Sequence, residues 1–278
     1  MEGLWLAALS GLIGGGTLLV GAAVAWFVDI PRLVVAGIMA AGAGVLISTL
    51  AFELVEEAAE DGGLVPTTVG FLGGAIIYIV ADQLISRRST QRDEQRVAAP
   101  AAPSGQLPRA AQLSPSPAGG AANIVARRAG AQAVSGAGLV IAVGALIDGI
   151  PESLVMGLSV LQGGISIPIV AAIAISNFPE GLGSTAALKR GGSSGRYVAL
   201  LWSGIALVTV VASVLGYVAF QSASPSLIAL ITTVAAGGLL AMVCNTMIPE
   251  AFDQQHALTG LWATIGFLGA FLLHELAG

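Results

Sequence analysis

Two stretches of the sequence carry acids where their neighbours are almost all apolar. Asp148 and Glu152 flank Pro151 in one, and Ser176, Asn177 and Glu180 flank Pro179 in the other. Asp148 and Glu152 are four residues apart, so on a helix they share one face, as do Ser176 and Glu180. Asn177 stands three before Glu180. A carboxylate at a bilayer centre costs roughly 2.5–3.5 kcal/mol on insertion scales. That cost implies a partner, a water-filled cavity or a bound ion. Neither stretch holds a Lys or Arg to neutralise the acids. A divalent cation supplies the missing charge; protonated carboxyls hydrogen-bonded between helices are the other reading. Pro151 and Pro179 donate no N–H, so the carbonyls of Ile147 and Ile175 lose their helical donors. Those oxygens are either further ligands or simply the site of a bend.

The elements that must position these groups are membrane helices. The chain has 278 residues, 55% hydrophobic and 10% charged, with a mean hydropathy of +0.88. A soluble domain carries roughly 25% charged residues, so bilayer is the fitting solvent. Eight segments are long and apolar enough to span: about 4–28, 33–58, 65–86, 134–161, 165–188, 197–220, 227–251 and 257–276. The first lacks a basic n-region and is read as a retained helix, not a cleaved leader. The short 162–164 connection makes the two acid-bearing helices antiparallel neighbours.

Charge placement supports the count of eight. All eleven Lys and Arg fall after the first, third or fifth span: Arg32, the arginines from Arg87 to Arg128, then Lys189, Arg190 and Arg196. The positive-inside rule then places those loops in the cytoplasm and both termini outside. Glu2, Glu56, Glu57, Glu60, Asp61 and Glu275 gather toward the outer face, where they either concentrate cations or are ordinary solvated helix ends. The organisation read from this is residues 1–88 as helices one to three, 89–131 as a flexible Ala/Pro/Ser/Gly-rich cytoplasmic linker, and 132–278 as helices four to eight. The lone cysteine, Cys244, forms no intrachain disulfide, and no CxxC pair suggests a thiolate site.

The sequence also repeats itself. Pro151-Glu152 overlays Pro179-Glu180 on helices that run in opposite directions. Ala43-Gly44 overlays Ala236-Gly237, and Glu57 overlays Glu250 at the same offset. Spans one to three and six to eight then form inverted repeats around a central pair, an arrangement that transporters use to build midplane sites on broken helices. On this reading Glu53 and Glu57 line an outer approach, and Asn245, Thr246, Glu250 and Asp253 line an inner exit; interfacial helix ends are the alternative.

These residues resemble the ZIP family of divalent metal transporters. The resemblance rests on the eight spans, the long segment after the third, and the paired Pro-Glu motifs. Ser176-Asn177-Phe178-Pro179-Glu180-Gly181 is similar to the family's His-Asn-x-Pro-Glu-Gly, and Asn245-Thr246-Met247-Ile248-Pro249-Glu250 is similar to its seventh helix. The resemblance implies an all-α bundle of three, two and three helices, a bridged two-metal site, possible homodimers and gradient-driven transport. Carried over by position, the metal ligands are Asp148, Glu152, Ser176, Asn177 and Glu180. Asp148 and Ser176 replace the family's histidines, and Thr209 stands near the place of a sixth-helix glutamate. The donor set is then mostly oxygen, which shifts the expected cargo from zinc toward harder ions such as manganese, iron(II) or magnesium, with zinc still a candidate because it also binds carboxylates. The expected function is permeation of Zn2+, Mn2+ or Fe2+ across the plasma membrane, with no organic cofactor, nucleic acid or enzymatic chemistry. The alternatives are a proton-coupled carrier of another small cation or solute, an intramembrane hydrolase using Asp148 and Glu152, and a metal sensor that does not transport.

Overall fold

The computed structural model describes residues 2–97 and 137–277. Eight helices are long and apolar enough to cross a membrane. They are α1 (Glu2–Phe27), α2 (Arg32–Thr49, continuing through Leu50–Glu56 and Glu57–Gly62), α3 (Leu64–Val97), α4 (Ala137–Gln162), α5 (Ile167–Arg190), α6 (Gly195–Ala219), α7 (Pro225–Met242, continuing through Val243–Met247 and Ile248–Gln255) and α8 (Thr259–Ala277). No strand occurs among the described residues. Helix α3 runs on to Val97, past the boundary read at residue 88. Residues 98–136, which hold most of the stretch read as a linker, lie outside the described residues.

Local chemistry sets the ends. Ser166, Ser194 and Ser224 each cap a helix by accepting a backbone N–H three residues on. Pro168 and Pro225 occupy first-turn positions where a missing N–H costs nothing. Lys189 and Arg190 close α5, where the helix dipole favours cations. Gly192, at φ +80°, lets the chain turn directly into α6.

The helices pack as two groups. Helix α1 lies against α4, α5 and α6, and α4 against α6; helix α2 lies against α7 and α8, and α3 against α7. The groups meet where α2 packs on α5 and α4 on α7. Exchanging α1 with α6, α2 with α7, α3 with α8 and α4 with α5 maps these pairings onto one another, which is the internal symmetry read from the sequence. Glycines make the matching approaches. A Cβ on Gly44 would overlap the Ala263 carbonyl of α8, and one on its counterpart Gly237 would overlap the Phe71 carbonyl of α3. Helices in lipid gain little from apolar transfer and associate through such close backbone contact.

The symmetry extends to a distortion. Helix α2 widens into a π-helix at Leu50–Glu56 and α7 does so at Val243–Met247. The offset that carries Ala43-Gly44 onto Ala236-Gly237 also carries Leu50 onto Val243. Wide turns of this kind are concentrated at functional sites. One holds Glu53 and the other Asn245 and Thr246.

Candidate metal site

Glu152 is 2% exposed, on α4, directly after Pro151. Asp148 stands one turn earlier on the same helix; its side chain lies outside the described residues. On α5, Ser176 and Asn177 are both 3% exposed, Pro179 is fully buried and Glu180 is half-buried. The structure therefore sinks Glu152, Ser176 and Asn177 into the helix bundle and leaves Glu180 half-buried.

Helix α1 is the backing for these groups. Asn177 Nδ2 donates to the Gly14 carbonyl at 3.1 Å, which fixes its amide and leaves Oδ1 as the outward acceptor. A Cβ on Gly14 would stand 2.7 Å from Met156 Cε of α4 and 3.5 Å from Ile173 Cγ2 of α5. Met156 lies one turn after Glu152, and Ile173 one turn before Asn177. One glycine of α1 thus touches both acid-bearing helices. Ser176 donates to the Ile173 carbonyl at 3.0 Å, which leaves its oxygen lone pairs as acceptors.

The carbonyl that Pro179 frees also has a defined setting. Gly42 of α2 faces it: a Cβ there would stand 3.4 Å from Ile175 O and 3.6 Å from Met247 Cε of α7. One turn from Gly42, Met39 lines a cavity of about 510 Å³. That cavity lies among the ends of α1, α2, α5 and α7 and is bordered by Asp29, Arg32, Lys189, Arg190 and Glu250. It opens at the end of the bundle that carries the basic residues and reaches Leu182 in the C-terminal half of α5. Lys189 braces it, bonding the Trp26 carbonyl at 2.9 Å and Asp29 at 3.3 Å.

Other expectations fare differently. Thr209 is 2% exposed, but its hydroxyl lies 2.8 Å from the Ala206 carbonyl and 3.3 Å from that of Gly11. Its O–H is directed to backbone carbonyls of α6 and α1, which ties the two helices together. Thr246 is buried and Asn245 and Glu250 are half-buried, whereas Asp253 is exposed. Among the described residues, no three or more His, Cys, Asp or Glu side chains converge to hold a metal. Two participants were missed by the sequence reading. His274 bonds Glu53 at 2.6 Å, and Ser166 bonds the same carboxylate at 3.1 Å. The Glu56–Asp61 charge run and Glu275 mark the same end of the bundle, but no spacing in the sequence joins α8 to α2.

Eight helices long and apolar enough to cross a membrane, with carboxylate, amide and hydroxyl groups buried on two helices that run on through Pro151 and Pro179, define a multi-pass membrane protein. The chain belongs to the ZIP zinc transporter family, whose model matches residues 3–274. Comparison with curated proteins gives no match. Membership makes the chain a membrane transporter of zinc or a related divalent metal, the cargo being its substrate, in a family of carriers and not of enzymes.

Proposed function

We propose that the chain carries one divalent metal ion at a time through an oxygen-rich site on α4 and α5, formed by Asp148, Glu152, Ser176, Asn177 and Glu180. The observation that carries this is the burial of Glu152 at 2% exposure in a helix that holds no cation. Carboxylate, amide and hydroxyl oxygens buried on α4 and α5 are the donor types that a hard divalent cation takes. Asn177, whose amide bonds Gly14, and Ser176 would contribute neutral oxygens from α5. Histidine is absent from α4 and α5, so manganese and iron(II) are favoured over zinc.

The basic end faces the cytoplasm and both termini face outward, in the plasma membrane. Glu53 and Glu57 then stand on the outer approach, while Asn245, Thr246 and Glu250 stand on the inner exit, which the 510 Å³ cavity continues. The driving force is the ion gradient. Flux of Mn2+, Fe2+, Zn2+ and Mg2+ into vesicles containing the protein tests the reading. Wild type carries Mn2+ and Fe2+ best, and Glu152→Gln with Glu180→Gln abolishes flux while leaving the protein folded. Full flux in that double variant would reject the site.

A further inference from the structure

At the acidic end of the bundle one carboxylate ties three helices together. Glu53 sits in the π-helical turn of α2 with 13% of its side chain exposed. Its Oε1 lies 2.6 Å from His274 Nδ1 on α8. Its Oε2 accepts from Ser166 Oγ at 3.1 Å, and Ser166 is itself the cap of α5. The His274 ring stacks on Phe52 with centroids 5.8 Å apart and planes 28° from parallel, so the imidazole is held in place. Hydrogen bonds to a shielded carboxylate are about twice as strong as neutral ones.

The tie crosses a boundary. Helices α2 and α8 belong to one packing group and α5 to the other. The Asn177, Thr209 and Ser213 bonds to α1 stay within a group, and so does His274 to Glu53. Ser166 to Glu53 spans the two. At the opposite end the same groups stand apart around the 510 Å³ cavity. The internal symmetry sharpens the contrast. The counterpart of Glu53 is Thr246, which meets Tyr78 of α3 at 3.4 Å, hydroxyl to hydroxyl. The carboxylate of one repeat thus stands where the other repeat has a hydroxyl.

We infer that Glu53, His274 and Ser166 form a latch on the outer gate that holds the carrier open to the inside until it is released. The inference rests on the transport reading above for its inside and outside, but the latch itself is testable without flux. Breaking it raises the outward-open fraction. The apparent affinity on the outer face scales with that fraction, while the already dominant inward-open form changes little.

The first test is sided flux in oriented vesicles. His274→Leu lowers the half-saturating Mn2+ concentration on the acidic face roughly tenfold and does not lower it on the basic face. His274→Gln, which keeps an N–H donor for Glu53, falls between this variant and wild type. Unchanged values, or a shift of the same sign on both faces, overturn the latch. The second test needs no transport. Ile169, on the first turn of α5 behind Ser166, is 2% exposed. In a Cys244→Ser background, Ile169→Cys is labelled slowly by a membrane-impermeant thiol reagent from the acidic face, and adding His274→Leu speeds labelling roughly tenfold. An equal labelling rate with and without His274→Leu overturns the latch. A wild type that carries no metal rejects the transport reading, and the labelling rates then decide the latch alone.

Discussion

Thr209 shows how a single hydroxyl separates two kinds of polar residue in this bundle. By position it resembles a ligand, yet its oxygen bonds the backbone of its own helix and reaches that of α1, while its methyl faces Gly149 across 3.4 Å from where a Cβ would stand. Asn177 differs: it spends an N–H on Gly14 and keeps its carbonyl oxygen as an acceptor. Thr209→Val therefore leaves Mn2+ half-saturation and ion preference unchanged. It lowers stability by about 1 kcal/mol, the net worth of one hydrogen bond. Metal flux and thermal unfolding of the purified protein, compared side by side, check both halves. A selectivity change in Thr209→Val would return the residue to the site.

The helices themselves are held at the distance their glycines permit. Gly44 and Gly237 occupy equivalent places in two equivalent interfaces, each against a carbonyl of the neighbouring helix. Gly44→Val and Gly237→Val should each destabilise the protein by roughly 3 kcal/mol, since overpacking against backbone cannot be relieved by a rotamer change. Gly204→Ala, with nothing within 4 Å of the new Cβ, should be neutral or stabilising because alanine is the better helix former. Thermal unfolding in one detergent compares the three, and a milder effect at only one of the paired glycines would show that the two interfaces differ in strength. The eight helices and their repeat were legible because hydropathy and charge placement act over whole spans: the read bounds 165–188 and 197–220 fall within two residues of Ile167–Arg190 and Gly195–Ala219. The two π-turns were not legible. In a continuously apolar run a widened turn leaves no phase break in the pattern. Glu53 and His274 likewise lie 221 residues apart, and only the packing of α2 on α8 brings them together.

At the scale of the whole molecule, a cavity of about 510 Å³ opens at the end of the bundle that carries Arg32, Lys189 and Arg190. The cavity runs from Arg32, Lys189 and Arg190 past Leu182 and Ala186 to Met39, one turn from Gly42 and the freed carbonyl of Ile175. Glu250, which the sequence pairs with Glu57 by symmetry, borders this cavity. The void itself was beyond the sequence, because it is a gap between four helices and belongs to none. Gly183 lines it, and a side chain added there meets nothing within 4 Å. Gly183→Trp therefore starts its side chain in open space and adds bulk to the cavity lining. The variant should unfold at the wild-type temperature or slightly above, and it should still bind Mn2+ at the α4–α5 site. Its flux should fall by at least roughly tenfold, since an occluded release path raises the transport barrier by upward of about 1.4 kcal/mol. Equilibrium Mn2+ binding and vesicle flux measured on one preparation separate a blocked exit from a damaged site. Wild-type flux through Gly183→Trp would mean that the ion leaves between other helices.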